Sequence, residues 1–187
     1  AQTLFRHWFI DGAEDDWEDG VIGDLFILKR GFDLPQKERR PGSVPIISAS
    51  GVNGYHDEVK VSGPGVTTGR SGLLGKVFYI FEDYWPLNTS LFLLEDKTET
   101  PIFVYFLLKT LELETLNAGS AVPTLNRNDV HSLEISLPPI ELIKTFGSIA
   151  APLFEKIKNN TTQIQTLEKL RDTLLPKLMS GEVRVRL

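Results

Sequence analysis

Three places in the sequence hold residue types that do chemistry. The first is "VTTGRSGLLGKVFYIF", Val66 to Phe81, where glycines, hydroxyls, an arginine and a lysine precede an apolar run. A phosphate-cradling P-loop needs Gly, four residues, then Gly-Lys-Ser/Thr opening a helix. Here five residues separate Gly69 from Gly75, and Val77 stands where a magnesium-binding hydroxyl belongs. The glycines fall as G-x-x-G-x-x-G, which also misses the dinucleotide pattern. "KVFYIF" is β-branched and aromatic, so it predicts a strand, and the glycines predict a hairpin or bulge. Such a hairpin presents Thr67, Thr68, Arg70 and Ser71 with little bulk around them.

The second place is Asp83, a gap, then Glu95-Asp96-Lys97. An Asp followed by Glu-x-Lys is the layout of metal-dependent nucleases, in which carboxylates hold magnesium and a lysine positions water. No proline precedes Asp83, and Glu95 falls at the end of its strand beside a turn. Acidic residues at such ends are ordinarily solvated. The third place is the histidine set, His7, His56 and His131, which is scattered without ligand spacing. With no cysteine in the chain, neither a Cys-ligated zinc nor a disulfide scaffold can form, which fits a cytoplasmic protein.

The elements that must position these residues follow from pattern. The 187 residues make one large domain or two small ones, and 41% hydrophobic content suffices for a core. No run of about 18 apolar residues is present, and the N-terminus lacks a signal-peptide layout. Residues 1–10 predict a short amphipathic helix with Leu4, Trp8 and Phe9 apolar, followed by an acidic linker. From Val21 to about Ile135, short apolar runs alternate with Gly, Pro, Asn and Asp: "VIGDLFIL", "SVPIIS", "KVFYIF", "TSLFLLE" and "LEISLP". "PIFVYFLLKTLEL" is apolar nearly all round and opens on Pro101, which predicts a buried helix.

After Pro138-Pro139 a second helical region begins. Gly147 and Pro152 predict a kink or restart. From Ala150 a heptad runs, with Ala150, Ile157, Ile164, Arg171 and Leu178 at a and Leu153, Asn160, Leu167 and Leu174 at d. Seven of these nine are apolar. Asn160 at a seam position is a device for fixing register. Residues 153–178 as one helix would span about 39 Å, ended by Pro176 and Gly181. Such a helix needs a partner to bury its stripe.

Net charge is −5, but its distribution is uneven. Residues 1–24 carry one basic against seven acidic side chains. Residues 25–80 carry eight against four, 81–115 two against seven, and 116–187 nine against seven. The basic excess sits in "LKRG", "QKERRPG" and "TGRSGLLGK". A solvated face explains any one cluster; three flanked by acidic segments point to an anionic partner.

In order, "LFRHWF", "VIGDLFILKRG", "VPIISASGVNGY", "TTGRSGLLGKV", "WPLNTSLFLL", "GSAVPTLNRNDVHSLEISLPP" and "LRDTLLPKLMSGEVRV" resemble the specificity subunit of type I restriction–modification systems. Each is weak alone, and together they are specific. That subunit has two halves, each a target-recognition domain followed by a helical spacer, and one half is represented here. A fragment and a naturally half-sized subunit are both open. The expected fold is α+β: a mixed α/β recognition domain with short strands, then a long coiled-coil-like helix. The expected divisions are 1–10 as the end of a preceding spacer, 11–137 as the recognition domain, and 138–187 as spacer, dimerisation and subunit-docking region.

The resemblance implies no catalysis and no cofactor. The sequence has no Asn-Pro-Pro-Tyr or Asp-Pro-Pro-Tyr for base methylation and no Gly-rich loop for S-adenosylmethionine. Its implied partners are double-stranded DNA, modification subunits and, through them, the restriction subunit. Lys29, Arg30, Lys37, Arg39, Arg40, Arg70 and Lys76 are expected to share one DNA-facing surface. Arg70 suits guanine or phosphate, and the hydroxyls of Thr68 and Ser71 suit either. By resemblance the loop with Ser120, Thr124 and Asn126 lies close to that surface; a turn capped by these side chains is the competing expectation. Leu153, Ile157, Asn160, Ile164, Leu167, Leu174 and Leu178 are expected to form a homodimer seam, whose two-fold axis favours a palindromic, interrupted site. The alternatives are a coiled-coil adaptor without DNA and the Asp83, Glu95, Lys97 nuclease.

Overall fold

The computed structural model describes residues 1–14, 17–116 and 123–183. These divide into two compact units, Ala1–Ser148 and Ile149–Leu187. Helix α1 (Gln2–Phe9) buries Phe5 and Phe9, one turn apart on one face. Strand β1 (Glu18–Val21) runs into a one-turn helix, α2 (Ile22–Leu25), and then strand β2 (Phe26–Arg30). The sequence predicted a single strand through "VIGDLFIL". The turn interrupts it because the Asp24 carboxylate accepts the Val21 N–H at 2.9 Å, while Ile22 and Leu25 still reach the core.

Strands β3 (Val44–Ser48) and β4 (Gly51–His56) form one hairpin, and β5 (Gly65–Gly69) and β6 (Val77–Ile80) another. The Gly-rich stretch is therefore the loop of a hairpin, as its pattern predicted. Short β7 (Trp85–Pro86) and longer β8 (Ser90–Asp96) follow. Helix α3 (Pro101–Thr110) opens with its proline in the first turn and buries Ile102, Phe103, Val104, Phe106 and Leu108. Helix α4 (Arg127–His131), β9 (Glu134–Leu137) and helix α5 (Ile140–Met179) complete the order.

The sheets bring distant segments together. β1 pairs antiparallel with β9; the order β2-β8-β5-β6 makes an antiparallel sheet of four; β4-β3-β7 makes a sheet of three in which β3 and β7 are parallel. Strand β3 is buried on both faces. Ile46 joins Leu34, Trp85 and Leu87, while its neighbour Ile47 joins Ile80, Tyr84 and Phe92. A third apolar cluster holds α1 in place: Phe5 stacks on Phe106 at 5.6 Å and meets Phe146 edge-on at 5.7 Å.

Helix α5 corrects one expectation. It runs 40 residues without a restart at Gly147 or Pro152, and Pro176 also lies inside it. Gly147 serves packing rather than a break: a Cβ there would stand 2.6 Å from Thr100 Cγ2. The end comes at Gly181, with φ +77°, where the Val183 N–H reaches the Lys177 carbonyl. In the second unit, Leu153, Ile157, Ile164, Leu167, Leu174 and Leu178 are all exposed, as is Asn160. Among the described residues no helix is long and apolar enough to cross a membrane.

Candidate nucleic-acid interface

Three loops of the first unit are stitched together through backbone hydrogen bonds. Leaving β5, the N–H groups of Arg70 and Ser71 both donate to the Thr89 carbonyl, at 2.8 and 3.1 Å. The Gly72 N–H donates to the Pro123 carbonyl, and the Leu125 N–H returns to the Arg70 carbonyl. Ser71 and Thr124 thus form a bridge between the Gly-rich loop and the segment before α4. Two glycines make this possible. At Gly69 a Cβ would lie 1.8 Å from the Leu73 carbonyl oxygen. Gly72 has φ +87° and open space around it, so its backbone is presented outward.

Side chains extend the junction to a fourth segment. Arg70 Nη1 donates to the Asn88 carbonyl at 3.3 Å, and the Asn88 amide donates to the Asp33 carboxylate. That carboxylate also lies 3.7 Å from Arg30 Nη2. Arg30 and Arg70 therefore share one rim, held apart by Asp33 and Asn88. Arg30 and Lys76 are exposed; Arg70 and Ser71 are half-buried. Asp33 and Asn88 were absent from the sequence-based candidates. Asn88 stands in the turn "PLNTS", and an Asn after Pro-x is a turn signal that could have drawn attention to it.

The remaining candidates divide. Thr68 is 1% exposed and its hydroxyl donates to the Lys76 carbonyl at 3.0 Å, so it fastens the hairpin from inside. Thr67 is equally buried. Both hydroxyls had been expected on the outside; each lies on a strand covered on both faces of the sheet. Lys29 and Arg30 alternate along β2 and so point to opposite faces, with Lys29 Nζ 6.0 Å from the Phe32 ring. Arg39 donates to the Leu34 carbonyl and to Asn53, and Arg40 clasps Asp57 at 2.8 Å and reaches Glu58. The Arg40 hydrogen bonds hold the Asp57 carboxyl below the usual carboxylate range. Of the seven basic residues, Lys29 and Arg30 thus do not share a face of β2, and Arg39 and Arg40 are engaged by acceptors of β4 and the turn after it. Lys37 is exposed on the 3₁₀ turn Gln36–Glu38. Asn126 caps α4, accepting the Asn128 N–H at 3.1 Å. Ser120 lies outside the described residues.

The nuclease layout is not assembled. Asp83 accepts the Gly63 N–H, and Lys97 Nζ donates to the Gly23 carbonyl at 2.8 Å. Among the described residues no three acidic or histidine side chains are grouped to hold a metal ion.

A family profile described as the Type I restriction modification DNA specificity domain matches residues 14–169. The chain belongs to that family. It is 28% identical to the type I restriction enzyme MjaIX specificity subunit of Methanocaldococcus jannaschii over 99% of this chain and 52% of that protein. It is 30% identical to the putative type I specificity subunit S.MpnORF285P of Mycoplasma pneumoniae over 82% of this chain and 53% of that protein. The chain thus spans about half the length of these curated relatives. The crystal structure of the type I restriction–modification S subunit from M. genitalium shares its fold, with a TM-score of 0.69 at 22% identity over 89% of this chain and 47% of that one. The α+β arrangement with a long C-terminal helix agrees with that fold.

Proposed function

We propose that this chain reads the sequence of double-stranded DNA as the specificity component of a type I restriction–modification complex, without catalysing a reaction itself. The carrying observation is the rim on which the Gly-rich loop, the Asn88 turn, the Asp33 turn and the segment before α4 meet, bearing Arg30 and Arg70 on a fold of this family. Loops fixed by a scaffold suit base readout, because the side chains arrive already ordered. Lys37 and Lys76 serve as phosphate contacts. Residues 11–137 act as the recognition domain, with 1–10 as the end of a preceding spacer. Residues 138–187 act as spacer, as the homodimer seam and as the docking region for modification subunits, through which the restriction subunit is directed to its site.

The test is to incubate the purified chain with a pool of randomised duplexes and sequence what it retains. A single enriched motif, kept when a chelator is added, supports recognition over the nuclease alternative. Retention of no motif at any salt concentration overturns the reading in favour of the adaptor.

A further inference from the structure

The β3–β4 hairpin is a second exposed feature, whose turn lies against the Gly-rich hairpin: a Cβ at Gly69 would stand 3.4 Å from Ala49 Cβ. Register pairs Val52 with Ile47 and Tyr55 with Pro45, so Asn53 and Gly54 together stand opposite the single residue Ile46. That is a β-bulge, with Gly54 at φ +98°. It turns the strand so that Val52 and Tyr55 are 59% and 54% exposed, a large apolar exposure on a strand whose partner β3 is buried. Between them lies Asn53, exposed and braced. Arg39 Nη1 donates to its carbonyl oxygen at 2.8 Å and to its side-chain Oδ1 at 3.0 Å. The base of the hairpin is braced again by Arg40 on Asp57 and Glu58.

The chemistry of the brace fixes what Asn53 can offer. A guanidinium only donates, so the amide oxygen must face Arg39 and the amide nitrogen must face away. Among the described residues the Asn53 Nδ2 has no partner. An asparagine reads adenine by accepting from N6 and donating to N7 at once. With Oδ1 turned to Arg39, the edge that Asn53 presents outward is its donor rather than that pair. Cytosine offers only a donor in the major groove, whereas thymine O4, guanine O6 and N7, and adenine N7 can all accept from Asn53. Its neighbour Val52 has the apolar surface that meets a thymine methyl.

We infer that the braced hairpin is a base reader for the major groove: Asn53, through its outward donor, selects against cytosine at one position of the target, and Arg39 is the positioning residue that sets this choice. This rests on the proposed DNA recognition. A major groove admits a two-stranded β-ribbon of this width. The charge around the hairpin leans positive, with Lys37, Arg39, Arg40 and Lys60 against Glu38, Asp57 and Glu58, the last two paired by Arg40 and Lys60.

The experiment repeats the randomised-duplex selection with the full chain and with the variants Asn53→Ala and Arg39→Ala. Asn53→Ala is expected to lose about ten-fold preference at one position and to leave the others unchanged. Arg39→Ala frees the amide to turn its oxygen outward, so cytosine is expected to be admitted at the same position; a purely structural arginine would weaken every position alike. Asn53 is exposed, so its replacement reports even if Arg39→Ala melts early. If the unmodified chain enriches a motif and Asn53→Ala enriches the same one equally at every position, the inference is overturned while DNA recognition stands. If the unmodified chain enriches no motif, DNA recognition itself is overturned and the hairpin reading goes with it.

Discussion

Arg70 donates from Nη1 to the main-chain carbonyl of Asn88, 3.3 Å away, across the junction between the β5–β6 hairpin and the turn before β8. One nitrogen of the fork is occupied, so the guanidinium is oriented, and among the described residues its other N–H groups make no hydrogen bond. Replacing Arg70 by Ala is expected to remove base preference at one position, costing on the order of 1–3 kcal/mol there. Binding to the enriched duplex and to single-base variants of it measures this. An equal loss across all variants would make Arg70 a phosphate contact.

Lys37 and Lys76 differ from Arg70 because each is exposed and makes no ion pair among the described residues. Such ammonium groups act as point charges toward phosphate. Lys37→Ala and Lys76→Ala are each expected to weaken every duplex alike. Each should also lower the slope of log K against log salt by about 0.9. Binding isotherms at several salt concentrations check both statements, and an unchanged slope would remove that lysine from the interface.

Most of the architecture was legible because it rests on periodicity. The hairpin around Gly69–Gly75, the buried α3 behind Pro101 and the long helix all follow from local pattern. Helix α2 was missed because a single Asp24 hydrogen bond decides it, against the apolar run around it. Site residues were less legible. Thr68 and Ser71 lie three positions apart in the sequence, yet one is fully buried and the other half-exposed. Only the pairing of β5 with both β6 and β8 determines that difference. Arg39 and Arg40 read as a basic cluster, but their partners Asn53, Asp57 and Glu58 come from a strand further on and from the turn after it. Charge counted along a chain does not reveal which charges fold onto each other.

Stability should depend on pH through His131. Its Nε2 accepts the Leu28 N–H at 2.9 Å, which requires the neutral ring. Burial, then the charges of Arg127 and Lys97, lower its pKa from the ordinary 6.5. The unfolded chain therefore takes up a proton before the folded one does. The contribution is fully present above about pH 6.5 and is lost as pH falls from there through the lower folded value. Thermal melts between pH 7.5 and 5 are expected to show this decline. His131→Gln, which cannot titrate, should flatten it; an identical slope in that variant would rule His131 out as its source.

The last expectation concerns α5. Leu153, Ile157, Ile164, Leu167, Leu174 and Leu178 are exposed along one heptad stripe, far more apolar surface than an isolated helix leaves in water. A second copy of the same stripe is the simplest cover, since a two-fold contact uses one patch twice. Antiparallel pairing over residues 153–178 would set the two ends of the stripe about 39 Å apart. It would also give the pair a two-fold axis, and two identical readers then favour a palindromic, interrupted target. Asn160, at a d position, would sit near the seam and restrict register. Sedimentation of the unmodified chain is expected to give a dimer, and replacing Ile164 and Leu167 by Asp should give monomers with an unchanged fold by circular dichroism. With the dimer broken, the enriched DNA should shrink from two half-sites to one. A monomeric unmodified chain would leave the stripe to the modification subunits, and the palindrome would lose its basis.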